Sequence, residues 1–346
     1  MKKTFYAALI LFGAMVAAMQ PDKTTTIFMI GDSTMANKGG IDKGNQERGW
    51  GMALQSCFDD NIVVDNHAVN GRSTLSFINE GRWDKVKEKM KPGDLVVIQF
   101  GHNDEKPNAD RHTDPGSTFD YNLAKFIRET RELGGVPVLM NCVVRRKWEP
   151  TTSAEAAEAL GKNIDDEALR STTATATGSA DSDSLVFIDT HGLYRVAPRD
   201  VAARMHCPYV DANKITEDLE RGLGVEGSRK LHMNFLPGEE PSVPKGRQDN
   251  THYNVHGAQV VARLLADAMC KELPLLAKYR VSYDLSVDRN GRGDFLSLAD
   301  AIASVPEGKK VSIQVLGGKW ERPTLTKKQQ KNISITLRMG ARYIED

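Results

Sequence analysis

Residues 24–35 read TTTIFMIGDSTM. An apolar, β-branched run from Thr26 to Ile30 stops at Gly31, and Asp32-Ser33-Thr34 follows at once. Such a run predicts a buried strand. A tight turn at its end delivers the next side chain to the carboxyl edge of a sheet, where open α/β sheets place their ligands. Ser33 in that position can act as a nucleophile. Gly-Asp-Ser is equally an ordinary strand-end turn or a helix N-cap, so the rest of the chain has to decide.

Working outward, further apolar runs at 62–69, 95–100, 136–144 and 185–189 complete a set of five predicted strands. Helical patterns lie between them: 50–58, 75–90 ending at Pro92-Gly93, and 121–133 closing on Gly134-Gly135. Strands alternating with helices predict an α/β fold, a parallel five-stranded sheet covered on both faces in three layers. Residues 154–183 start Ala/Glu-rich and decay into a polar run, which reads as a surface insertion with a flexible loop. Short helices are expected over 194–223, a long irregular Pro- and Gly-rich loop over 231–250, and an amphipathic closing helix over 255–273.

Lys plus Arg number 46 and Asp plus Glu number 46 in the 346 residues. A net charge of zero argues against a nucleic-acid or membrane-surface partner held by bulk electrostatics. Lys2 and Lys3, an apolar stretch over 5–14 and small residues at 16–18 read as an export leader cleaved after Ala18. The apolar run is shorter than the roughly 20 residues a membrane span needs. The chain is therefore expected in the periplasm or outside the cell, with no membrane attachment after cleavage. Cys57, Cys142, Cys207 and Cys270 are widely spread and form no metal-binding spacing.

Three more loops should reach the edge where Ser33 lies. They are Asn70-Gly71-Arg72-Ser73 after the second strand, Gly101-His102-Asn103-Asp104 after the third, and Asp249-Asn250-Thr251-His252 before the last helix. Acyl transfer needs a nucleophile, a base for its proton, a group to orient the base, and donors for the oxyanion. Ser33, His252 and Asp249 supply the first three in turn. The backbone N–H groups of Ser33 and Gly71 and the Asn103 amide supply the fourth. His252 and His256, four residues apart with Asp249 near, could alternatively bind a divalent metal, but that leaves Ser33 without a role. No cofactor or metal is expected.

GDS at 31–33, the Gly71 loop, GHND at 101–104 and DxxH at 249–252 resemble, in order, the four blocks of the SGNH (GDSL-type) hydrolases. ERGWG (47–51), VNGRSTLSFINEGRW (69–83), IQFGHNDEKP (98–107), VVRR (143–146) and DNTHYNVHGAQVVA (249–262) are similar to the rhamnogalacturonan acetylesterases among them. The turn here reads GDSTM rather than GDSL. The resemblance spans roughly residues 24–276 and implies a flavodoxin-like hydrolase domain over 19–276 that removes acetyl groups from pectic polysaccharide. Arg72, Arg145 and Arg146 would then be candidates to pair with galacturonate carboxylates, and Trp50 could line the sugar pocket or fill the core. Other readings of the same motifs are an esterase for xylan acetate, small acyl esters or lipids, and a carbohydrate-binding scaffold without activity.

Beyond Pro274 the composition changes. VDRNGRGDF (287–295) and VSIQVLGGKWERP (311–323) resemble the opening of a pectin methylesterase, which in that family leads into a parallel β-helix. Residues 277–346 therefore read as an incomplete segment of that kind. Its few coils should pack poorly and leave strand edges at 311–316 and 333–337 exposed. Oligomeric state is not legible in the sequence.

Overall fold

The structure is a computed structural model that describes residues 24–150 and 185–344. The leader and the insertion at 154–183 lie outside the described residues. Strand β1 (Thr25–Gly31) is followed by β2 (Glu47–Arg48), helix α1 (Trp50–Ala53) and β3 (Ile62–Asn66). Helices α2 (Thr74–Asn79) and α3 (Arg82–Lys87) precede β4 (Leu95–Gln99), and α4 (Thr118–Glu132) precedes β5 (Val136–Met140). Next come β6 (Trp148–Pro150), β7 (Leu185–Phe187), α5 (Leu193–Arg204), β8 (Tyr209–Val210) and α6 (Ala212–Arg229). Strands β9 (His232–Phe235) and β10 (Arg247–Asn254) lead into α7 (Val255–Glu272).

The main sheet is parallel throughout, in the order β3-β1-β4-β5-β8. Numbered by its own strands this is 2-1-3-4-5, the flavodoxin-like order, whose switch point lies between the first and third strands. Period-2 alternation splits the core into two layers. Ile27, Met29, Leu95, Val97, Val136 and Val138 pack with Trp50 and with Val261, Leu265 and Met269 of α7. Phe28, Ile30, Val96, Ile98 and Leu139 face Phe77, Trp83, Phe119 and Phe126 of α2, α3 and α4. Gly31 ends β1 where no side chain fits, since a Cβ there would lie 2.6 Å from the Gln99 carbonyl oxygen.

Three expectations are corrected. The fifth strand is Tyr209–Val210, held by the Leu139 N–H on the Pro208 carbonyl at 2.9 Å, and not the 185–189 run. The apolar side chains of β7 are used elsewhere: β7 pairs antiparallel with β6, and Phe187 packs edge-on to Trp148 and beneath Arg221. The helix expected over 75–90 is two helices, broken at Gly81, which takes a left-handed φ of 65°. Residues 231–250 are not a loop throughout, because β9 and β10 form a hairpin to which β2 adds a third strand.

The tail also departs from expectation. It contains β11 (Leu285–Val287), α8 (Leu298–Ala303), β12 (Val311–Leu316), β13 (Lys319–Trp320), α9 (Lys327–Asn332), β14 (Ile333–Arg338) and β15 (Arg342–Tyr343). Strand β12 is central in the parallel sheet β11-β12-β14, so of the two predicted edges only β14 is one. Val287, Leu298, Ile302, Ile313, Val315 and Trp320 form a buried core of their own. The tail is also bonded to the main unit. Gln314 Nε2 donates to the Ser56 carbonyl at 2.7 Å, Arg338 to the Phe58 carbonyl and to Asp60, and Arg48 Nε to the Gly291 carbonyl at 3.0 Å. Poor packing was expected because a few coils lack neighbours; here the hydrolase unit is the neighbour.

Candidate active site

The turn after β1 is built by Asp32. Its Oδ1 accepts from the Thr34 N–H at 2.9 Å and from Thr34 Oγ1 at 2.8 Å, which locks the turn and leaves Ser33 half-exposed at the sheet edge. Burial pushes the Asp32 carboxyl above its ordinary range, against the opposing pull of these bonds. Lys38 then ties three elements together. Its buried ammonium donates to the Ser33 carbonyl at 2.7 Å and to Asn70 Oδ1 at 2.8 Å, and it pairs with Glu47 at 2.9 Å.

Asp249 and His252 sit on β10 where the ladder is interrupted. From Gln248 to Tyr253 the strand advances five residues, while its partner advances two, from Asn234 to His232. The bulge lifts the intervening side chains off the hairpin and toward β1. His252 Nε2 lies 2.9 Å from Ser33 Oγ, and His252 Nδ1 lies 2.9 Å from Asp249 Oδ2. Asp249 Oδ1 accepts the backbone N–H groups of Thr251 and His252, each at 3.0 Å, and Arg247 reaches Oδ2 at 2.7 Å. Burial acts to raise the Asp249 carboxyl, but the His252 ring and these backbone donors outweigh it and hold it well below the carboxylate range. An imidazole fixed by an ionised carboxylate on one nitrogen and facing a hydroxyl on the other can draw off the hydroxyl proton.

The two donor loops converge on the same place. Gly71 takes a φ of 76°, which a side chain would strain. Among the described residues no acceptor meets the Ser33 or the Gly71 backbone N–H. Asn103 is buried, its Nδ2 donates to the Arg72 carbonyl at 3.1 Å, and Lys106 Nζ donates to its Oδ1 at 2.9 Å, so the amide is oriented from both ends. Asp104 clamps these loops, accepting on Oδ1 from Thr74 N–H at 3.0 Å, Thr74 Oγ1 at 2.6 Å and Thr113 Oγ1 at 2.8 Å. Burial raises its carboxyl to about 6 despite those bonds.

The remaining candidates fare differently. Trp50 is fully buried and donates to Gln99 Oε1 at 2.8 Å, so it is core and not pocket lining. Arg146 has its guanidinium committed: Nε to Ser228 Oγ at 3.1 Å, Nη1 to Asn250 Oδ1 at 3.2 Å and Nη2 to the Val225 carbonyl at 2.7 Å. With its backbone N–H on the Asn250 carbonyl at 2.8 Å, Arg146 pins the bulge that carries Asp249 and His252. Arg145 is paired with Glu105 and donates to Thr190 Oγ1 at 3.1 Å, and Arg72 pairs with Glu80 at 3.0 Å. His256 is exposed in the first turn of α7. Glu47, Asp249 and His252 each offer an atom within 4.8 Å of the others, and Lys38 and Arg247 already neutralise the two carboxylates.

Sequence reasoning passed over Lys38, Glu47, Arg247 and Lys106. Glu47 lies in the ERGWG stretch and Lys106 in IQFGHNDEKP, and neither was given a role. Arg111, in the polar loop between β4 and α4, was also missed.

A serine, an imidazole and a carboxylate in one hydrogen-bonded line at the carboxyl edge of a parallel α/β sheet define a serine hydrolase. Residues 29–260 match the GDSL-like lipase/acylhydrolase family, and the chain belongs to it. It is a serine carboxylic-ester hydrolase. It is 33% identical over 270 residues to the rhamnogalacturonan acetylesterase RhgT of Bacillus subtilis (strain 168), covering 78% of this chain and 97% of that protein. The probable rhamnogalacturonan acetylesterase YesY of the same organism is 28% identical over 253 residues, covering 72% and 94%. Among solved structures, the YxiM protein of Bacillus subtilis superposes with a TM-score of 0.52 at 22% identity, covering 73% of this chain and 58% of that one. That likeness concerns the fold.

Proposed function

We propose that this chain removes acetyl groups from rhamnogalacturonan-type pectin through an acyl-enzyme on Ser33. The observation that carries the chemistry is the line Ser33 Oγ, His252 Nε2, His252 Nδ1, Asp249 Oδ2, with 2.9 Å at each hydrogen bond. The substrate class is supported by the relatives named above.

In this mechanism His252 takes the Ser33 proton as Oγ attacks the acetyl carbonyl carbon. The Ser33 and Gly71 N–H groups and the Asn103 amide receive the negative charge that develops on the carbonyl oxygen. Collapse breaks the bond to the sugar oxygen, which leaves with the proton from His252. Water then attacks the acetyl-serine while His252 accepts its proton, and as the second tetrahedral intermediate collapses His252 gives that proton to Ser33 Oγ and acetate departs. Asp249, ionised throughout, keeps Nδ1 protonated and so leaves Nε2 free to act as the base.

The same proposal includes export, with residues 1–18 removed, which N-terminal sequencing of the mature protein tests. It also keeps residues 277–346 as an incomplete segment resembling the opening of a pectin methylesterase, a reading that the parallel pairing of β11, β12 and β14 supports. The deciding assay for the substrate compares acetate release from acetylated rhamnogalacturonan, acetylated xylan and a long-chain ester. Preference for the first is expected, and equal or greater release from xylan or from the long-chain ester contradicts the reading.

A further inference from the structure

We infer that Arg111 recognises the uronate carboxylate of the substrate beside the turn that receives the oxyanion. This rests on the pectic-substrate reading above. A galacturonate residue carries a carboxylate on the same ring as its hydroxyls, so an acetyl group bound at Ser33 brings an anion within one sugar's width of the site.

The arginines that the sequence offered for this task are engaged elsewhere, whereas Arg111 is not. Its Nη1 stands 3.8 Å from where a Cβ on Gly71 would lie, which puts the guanidinium directly over the Gly71 turn. Its Nε is buried with no hydrogen-bond partner. Among the described residues its ion-pair contact is Asp110, 3.6 Å away and beyond hydrogen-bond range, and that carboxylate is 69% exposed. A guanidinium presents paired donors in a planar fork that matches a carboxylate, and here the fork is unspent.

The loop holds this cation in place. The Arg111 and His112 N–H groups both donate to the Asn108 carbonyl, at 3.0 and 2.8 Å. Thr113 is fastened to Asp104 by its N–H and its hydroxyl, and Tyr194 donates to the Thr113 carbonyl at 2.6 Å. An arginine fixed by its backbone, half-exposed and without an acceptor loses little freedom when a carboxylate arrives. The same clamp on Asp104 fixes Asn103 next to it, so the acetyl carbonyl and the carboxylate are read by one rigid segment.

The test compares native acetylated rhamnogalacturonan with the same polymer after reduction of its carboxyl groups, using wild type, Arg111→Gln and Arg111→Lys. Wild type is expected to favour the native polymer about tenfold in kcat/KM, mostly through KM. Arg111→Gln should abolish that preference, and Arg111→Lys should restore part of it. A preference retained in Arg111→Gln overturns the inference. So does a wild type that deacetylates both polymers equally, a result that needs no variant to fold and leaves the pectic reading standing. Release from neither polymer overturns both.

Discussion

His252 Nε2 and Ser33 Oγ lie 2.9 Å apart although 219 residues of sequence separate them. The approach depends on two local devices: the Asp32 turn that ends β1 and the bulge that interrupts β10. Neither residue is placed by its own element alone. Lys38, Glu47 and Arg247 link the two in a line of ion pairs, from the Ser33 carbonyl to the Asp249 carboxylate.

In the proposed mechanism Asn103→Ala removes a donor whose effect is felt as charge develops. Loss of one such donor costs about 2.7–4 kcal/mol in the barrier. Turnover should fall on the order of a hundred- to a thousandfold with KM little changed, measured by steady-state hydrolysis of a soluble acetyl ester. The unfolding midpoint should move little, because the Arg72 carbonyl and Lys106 can turn to water.

Lys38 and Glu47 should couple. Removing one partner of a buried ion pair leaves the other charge unmet, so Lys38→Met should destabilise by about 3 kcal/mol. The Lys38→Met/Glu47→Gln pair should cost less than the sum of the two single changes, read as urea unfolding in a double-mutant cycle. Strict additivity would show that the line of charges does not act as a unit.

Arg146→Ala separates support from recognition. With side-chain bonds that join Asn250 of the bulge to Val225 and Ser228 of α6, its loss should lower kcat several-fold and reduce stability by about 2 kcal/mol, while KM on a pectic substrate stays near the wild-type value. A large rise in KM with kcat preserved would restore the role in carboxylate binding that the sequence suggested.

Stability should depend on pH through Asp104. Its carboxyl is raised to about 6 in the fold by burial, against about 3.9 in the unfolded chain. The folded state therefore binds the proton more tightly, and the contribution is present in full below about pH 4 and is lost as pH rises through about 6. The shift corresponds to about 3 kcal/mol. Asp104→Asn, neutral at every pH, should flatten that fall in urea melts between pH 4 and 7. Asp249 acts in the opposite sense: its depressed carboxyl stabilises above the ordinary carboxylate range and loses that effect only in stronger acid.

The four long strands and the residues around Ser33 were legible because they carry strong local signals. Apolar runs end at glycine, and small polar motifs follow them. Other features had no such signal. The fifth strand, Tyr209–Val210, is two residues long, and the apolar triplet at 185–187 outcompeted it in the sequence. Strand β9 (HMNF) does alternate, but it is only four residues long, and β10 (RQDNTHYN) is polar up to Tyr253, so the hairpin read as loop. Trp50 gave no sign of which side it faced, and burial between the sheet and α7 decided it. The arginines show why binding roles are hard to read from sequence. Whether a guanidinium is free depends on partners far along the chain, such as Ser228, which lies 82 residues beyond Arg146.

In the proposed mechanism the acetyl group is carried by Ser33 Oγ. A phosphonate ester that mimics the tetrahedral intermediate should titrate one site per chain, abolish acetate release, and map by mass spectrometry to the peptide containing Ser33; Ser33→Ala should take up no label and release no acetate above background. Label on another residue, or a Ser33→Ala enzyme that still deacetylates at the wild-type rate, would contradict it.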